Sequence, residues 1–356
     1  MLNRSRLSTA LIASTTVAIL LGGCAGGGSP ADNTEIPEGE IGAAETTSIT
    51  VAIPFPDVTM YGMYWVAEAL GYYEEEGLTV DVISADNVAA AVASGSAQVG
   101  VESAGTVIEA IRGGVGVEVL SSHYCRQNFD FAVQPSINSV EDLDGTSIVL
   151  AGTPGDPAEF QRAKVLKEAG WDVSTVDVEI VYPGPGSDSW TEYFVNERIS
   201  LQPFYGDDRP TLEANDAKII VESLKNWAND LHVVSSDFAD KNPNTLIRFL
   251  RATMKSVDYI VEPGLGEQPT NAEEILSIVE DNDYNVDELR KDVGPGAFGG
   301  YLVCPNLYFD KEAWDVTIDT QELEPLEFDE SQLDLLLKAQ ELMDMDNAGP
   351  ETLTYP

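Results

Sequence analysis

The chain has 356 residues, 43% hydrophobic and 22% charged, which is apolar content enough for the cores of one or two domains. Lys and Arg total 19 against 61 Asp and Glu, a formal net charge of −42. A surface of that sign cannot neutralise a run of phosphates or anionic headgroups, and with the acidic residues spread along the chain it reads as a solvated coat, not a nucleic-acid face.

Arg4 and Arg6 precede an apolar run from Leu11 to Leu21, the charged start and hydrophobic centre of a secretory signal. The run is shorter than the about 20 apolar residues a spanning helix needs. It ends in Leu21-Gly22-Gly23-Cys24, which resembles the bacterial lipobox, where the cysteine is lipidated and becomes the new N-terminus. Residues 1–23 are therefore read as a lipoprotein signal peptide. Residues 24–47, rich in Gly, Pro, Glu and small side chains, are read as a flexible tether between anchor and body. Two cysteines remain, Cys125 and Cys304. Export permits a disulfide between them, and two buried thiols are the other reading. The two histidines, His123 and His232, have no ligand spacing, so no metal site is expected.

The body alternates between strand and helix patterns. Ser48–Ile53, Leu78–Ile83, Ala97–Val101 and Val117–Ser121 read as strands, separated by helices at Tyr61–Leu70, Asn87–Ser94 and Ala104–Arg112. Phe129–Gln134 is an extended apolar segment suited to a crossover. A second unit follows, with strands at Ser147–Leu150, Val178–Tyr182 and Lys218–Val221 and helices at Pro157–Ala169 and Ser189–Asn196. Asn244–Val261 is a long helix, and Asp329–Met343 is another with Asp329 as its N-cap. Repeated strand–helix–strand units predict an α/β protein with parallel sheets, whose ligands gather at the C-terminal ends of the strands.

Four stretches carry a resemblance: Tyr64–Val80 (YWVAEALGYYEEEGLTV), Ser94–Val101 (SGSAQVGV), Ser136–Gly145 (SINSVEDLDG), and Asp237–Pro243 (DFADKNP) followed by Phe249–Ala252 (FLRA). In order and spacing, over about residues 48 to 262, they resemble the type II periplasmic-binding fold. The branch is that of the sulfonate, nitrate and taurine binding proteins and of the binding proteins and synthases for the thiamine pyrimidine. The resemblance implies a two-lobed α/β fold with parallel-rich sheets and an interlobe cleft. Lobe 1 is 48–130 plus 225–356, and lobe 2 is 131–224. It also implies a small-molecule ligand, a monomer without cofactor, and delivery to an ABC permease driven by a separate ATPase, since the chain has no phosphate loop of its own.

Candidate ligand residues follow from the loops after strands. Asp57, Thr59 and Tyr61 lead into the first helix. Glu102, Ser103 and Thr106 open another, where free backbone N–H groups suit a carboxylate or sulfonate, or where Ser103 simply caps the helix. Thr153 and Asp156 lie in a Gly- and Pro-rich turn. Tyr205, Asp207 and Asp208 stand where pyrimidine-binding relatives hold an aminopyrimidine: Tyr205 to stack, the aspartates to accept from an amine. Trp190 is read as core or as a wall of the cleft. These residues favour an amine-bearing aromatic heterocycle as ligand, with sulfonate, taurine or nitrate as the alternative. A pyrimidine synthase of the same fold is the enzymatic alternative, but Met60 stands where those relatives carry a histidine, and no cysteine cluster is present.

Overall fold

The computed structural model describes residues 41–55, 58–126, 129–154, 158–184, 186–205, 208–221, 226–261, 270–281, 303–321 and 323–349. The expected signal peptide, Cys24 and most of the expected tether lie outside the described residues. Among those described, no helix is long and apolar enough to cross a membrane, and no cluster of His, Cys, Asp and Glu could hold a metal ion.

The body is a mixed α/β protein with two five-stranded sheets. The first sheet has the order β2 (Thr79–Ser84), β1 (Ser48–Ile53), β3 (Val99–Ser103), β10 (Asn226–Ser235), β4 (Val117–Arg126). The second has the order β7 (Glu179–Ile180), β6 (Ser147–Ile148), β8 (Leu201–Phe204), β5 (Asp130–Val133), β9 (Lys218–Val221). The two are built alike. Three neighbouring strands run parallel, a fourth is added against them, and the fifth pairs antiparallel with the fourth. The chain leaves the first sheet after β4 and re-enters it as β10, between β3 and β4.

Local sequence explains most boundaries. α1 (Val58–Ala69) buries Tyr61, Met63, Tyr64, Trp65, Val66 and Ala67 on several sides. Gly71, at φ +75°, ends that run and caps the short α2 (Tyr72–Glu75). Asn87 caps α3 (Val88–Ala93), its side chain accepting from Ala90 N at 2.9 Å. α9 (Pro243–Val261) is the longest helix among the described residues and buries one full face. Glu76, almost fully buried, ties α2 to it through Arg251 at 3.2 Å and Arg248 at 3.5 Å.

Several expectations are corrected. The expected tether includes residues 41–47, yet these are pinned to the start of α9. The Glu45 carboxylate accepts from Thr245 N (2.9 Å) and Asn244 Nδ2 (2.6 Å), and Asn244 Oδ1 accepts from Gly42 N (2.8 Å). Burial raises the Glu45 carboxyl, but the donors from Thr245 and Asn244 outweigh it and hold it below the usual range. The Phe129–Gln134 crossover holds a strand, β5, paired on both sides inside the second sheet. The Asp329–Met343 helix is broken: Asp329 caps a 3-10 turn at Glu330–Leu333, and the α-helix proper is α12 (Asp334–Leu342).

Both histidines are sealed in the first core. Tyr64 Oη lies 2.7 Å from His232 Nε2 and 3.3 Å from His123 Nδ1, and Ser121 Oγ lies 2.8 Å from His232 Nδ1. His123 Nε2 reaches Met60 O at 2.9 Å. Burial, then His232, holds His123 well below its usual range, and burial brings His232 down to about 4.

Cys125, at the end of β4, is disulfide-bonded to Cys304, with a Cα–Cα distance of 5.9 Å. The bond closes a span of 179 residues that contains the whole second sheet. By chain entropy such a loop contributes up to about 5 kcal/mol. Reduction, or Cys125→Ser with Cys304→Ser, should lower the melting temperature by several degrees in a calorimetric scan.

Candidate ligand-binding site

In the second sheet, α5 (Ala158–Glu168) follows β6 and packs back on it. Val165 and Leu166 bury their apolar side chains. Arg162, three and four residues before them, falls on the same face and is only 5% exposed. Its Nη1 donates to Leu150 O at 2.8 Å, and its Nη2 donates to the Tyr205 hydroxyl at 2.9 Å. Leu150 follows β6 and Tyr205 follows β8, so the guanidinium bridges the C-terminal ends of two adjacent parallel strands. Its carbon sits 5.1 Å from the Trp190 ring centroid and 5.3 Å from that of Phe129.

Among the described residues no carboxylate pairs with Arg162, and its Nε is buried without a partner. A charge out of water without a counter-ion is costly, and an incoming anion relieves that cost. The rest of the group is already committed. Trp190 is buried, donates from Nε1 to Gly184 O (2.9 Å), and leans on Tyr205 with centroids 6.2 Å apart. Asp208 is 6% exposed and accepts from Thr191 Oγ1 at 3.0 Å and from Tyr205 N at 3.2 Å. Burial pushes its carboxyl up, against the donors from Ser187, Tyr205 and Thr191.

This bears on the expected heterocycle. Asp208 is turned inward to close the 205–208 turn, and the Tyr205 hydroxyl is held by Arg162. Both groups are thus already hydrogen-bonded within the protein. Asp207 and Asp156 lie outside the described residues. Thr153 is exposed in its turn. Arg162 itself went unread in the sequence because a mid-helix arginine looks like a solvated position. Its spacing from Val165 and Leu166 is the signal that marks it as facing inward.

In the first sheet, β3 runs two residues further than expected, and its last residue, Ser103, is the N-cap of α4 (Ala104–Arg112). Ser103 Oγ accepts from Thr106 N (3.4 Å) and donates to Thr106 Oγ1 (2.8 Å), so the capping role is occupied. Glu102 accepts from Ser103 N at 2.9 Å. Burial raises Glu102, against the hydrogen bonds from Ser103. Asp230, opposite Ser103 in register on β10, is an acidic neighbour the sequence did not mark. Burial, then the Glu102 charge, pushes it up to about 7. Tyr61, an expected ligand residue, is buried and stacks on His123 at 5.3 Å. Asp57 and the Thr59 side chain lie outside the described residues.

A family model described as NMT1/THI5-like matches residues 59–264. No relative is found among curated protein sequences. Among solved structures, the chain is similar to a Methylobacillus flagellatus protein named as a periplasmic sulfonate-binding protein of an ABC transporter (16% identity, 84% of this chain and 95% of that one, TM-score 0.59). It is similar to the periplasmic aliphatic sulphonate binding protein of Escherichia coli (11% identity, 78% and 86%, TM-score 0.54). It is also similar to a desulfurization enzyme, DszB (14% identity, 83% and 99%, TM-score 0.51). At these identities the likeness is one of fold, and the same fold carries binding and catalysis.

The Asp230 shift has a definite sign. A carboxyl raised from 3.8 to about 7 holds a proton in the native state that the unfolded chain releases. Its contribution is present below about pH 4 and lost as the pH rises towards 7. His232, held at about 4, works the other way in the same window, but it is common to both proteins in a comparison. Asp230→Asn should therefore gain on the wild type by roughly 3–6 °C in melting temperature between pH 4 and pH 8. A gap that stays constant with pH would refute the shift.

Proposed function

The chain belongs to the NMT1/THI5-like family, and from that premise we propose that it is an extracytoplasmic solute-binding protein that captures a sulfonate-type anion for an ABC importer. The observation that carries this reading is the buried guanidinium of Arg162 at the C-terminal ends of β6 and β8, which has no carboxylate partner among the described residues. A planar fork of donors over two aromatic faces fits the oxygens of a sulfonate or nitrate. It fits the amine of an aminopyrimidine less well, since that group brings donors to a donor. The two sulfonate-binding structures of the same fold point the same way.

The rest of the reading follows from export. Cys24 carries the lipid anchor, the segment after it spaces the body from the membrane, and the body works as a monomer beside a permease with a separate ATPase. Binding is favoured over catalysis because the Ser121–His232 contact is sealed in the core, out of reach of any solute. Met60, at the place where synthase relatives carry a histidine, takes part through its carbonyl, accepting from His123 and Tyr124.

Titration calorimetry of the mature chain with ethanesulfonate, taurine, nitrate and an aminopyrimidine tests the reading. Ethanesulfonate should bind, and Arg162→Met should weaken it about 10- to 100-fold, the worth of charge-assisted hydrogen bonds, while keeping the packing of α5. Arg162→Lys should recover part of the loss. Tight aminopyrimidine binding that Arg162→Met leaves unchanged would overturn the proposal.

A further inference from the structure

A tyrosine hydroxyl has one proton to give and lone pairs to accept with, whereas a guanidinium only donates. In the 2.9 Å contact between Arg162 Nη2 and Tyr205 Oη the hydroxyl is therefore the acceptor. Its own proton is not spent there, and no acceptor for it is found among the described residues. Arg162 Nε, in the same rigid fork, is likewise buried without a partner. Two donors, one charged and one neutral, thus stand within one guanidinium of each other, unspent. Arg162 is almost wholly buried, but Tyr205 is partly exposed.

The tyrosine is held from both faces of the second sheet. It follows β8 and packs against both of that sheet's cores. Its N–H donates to Asp208 Oδ2 at 3.2 Å, and Asp208 N donates back to Tyr205 O at 3.0 Å. Asp208 Oδ1 accepts at 3.0 Å from Thr191 Oγ1, on α6 (Ser187–Val195), and that oxygen accepts at 3.2 Å from Gln202 Nε2 on β8. Thr191, Gln202 and Asp208 are all buried. Leu201 lies in the core that holds Val165 and Leu166 of α5, so Gln202, the next residue of the strand, faces the other side. The chain of hydrogen bonds runs from that side, through the 205–208 turn, to Arg162.

We propose that Tyr205 is a specificity-determining residue, whose hydroxyl accepts from Arg162 and donates its proton to an oxygen of the bound anion, and that Asp208 and Thr191 are the positioning residues that hold it there. This rests on the anion reading above. A sulfonate oxygen takes the neutral O–H while another takes the charged N–H of Nε. A ligand group that is itself a donor leaves the hydroxyl proton unmatched, a cost that selects for oxygens.

The test is calorimetry of the mature full-length chain with ethanesulfonate. Tyr205→Phe keeps the ring and removes only the hydroxyl, and should weaken binding about tenfold. Thr191→Val, which touches no ligand, should weaken it about threefold, and Thr191→Ser, which keeps the hydroxyl, should bind within about twofold of the wild type. If Arg162→Met weakens binding but Tyr205→Phe binds as well as the wild type or better, the anion reading stands and the donor role is overturned, because the hydroxyl then only occupies the guanidinium. Equal losses in Thr191→Ser and Thr191→Val, or no loss in either, overturn the positioning role. A wild type that does not bind ethanesulfonate overturns the anion reading and this inference with it.

Discussion

The structure depends on one strand returning home. β10 enters the first sheet between β3 and β4 and is hydrogen-bonded to both. Because a strand in that position completes two ladders at once, everything between β4 and β10 is an excursion from a sheet that must close behind it. The second sheet is that excursion. The polar core under α1 is tied to the same strand, through His232 and its contacts with Tyr64 and Ser121. The disulfide closes the same loop by a covalent route, from the end of β4 to Cys304.

A repeated sheet plan places two chemically different strand ends in one protein. The first sheet ends in acidic groups, Glu102 and Asp230, beside a helix N-terminus. The second ends in a guanidinium held over aromatic rings. On the reading proposed above, a solute that satisfies the second is anionic there. The elevated carboxyls of the first reduce the repulsion such a solute would meet, because a protonated Asp230 carries no charge. The large negative charge of the surface remains, screened by salt beyond about 10 Å.

The candidate site was only partly legible. Ser103 and Thr106 were marked from a strand-to-helix junction, and the junction is there, with the cap occupied. Tyr205 is expected to stack on a ligand and Trp190 to be core or a wall of the cleft, and in the fold the two meet beside Arg162. That arginine was hidden because composition treats a charged residue within a helix as solvated. Only its alignment with Val165 and Leu166 betrays the buried face. Asp208 looked available because a run of Tyr, Gly and Asp reads as an open turn. Folded, its carboxylate closes that turn.

By itself the sequence determined where most helices and edge strands begin and end. Capping side chains, glycines at positive φ and periodic apolar residues act within a few positions, as at Asn87, Gly71 and the stripe of α9. It did not determine β10, whose Asn229, Asp230 and His232 break any strand pattern, and where His232 is held by Tyr64 of α1 and by Ser121 and Ser122 of β4. Nor did it determine that residues 41–47 are tied to α9 or that Cys125 meets Cys304. Each of these is a contact between groups far apart in the chain, and no local signal encodes a partner that only the closed fold brings near.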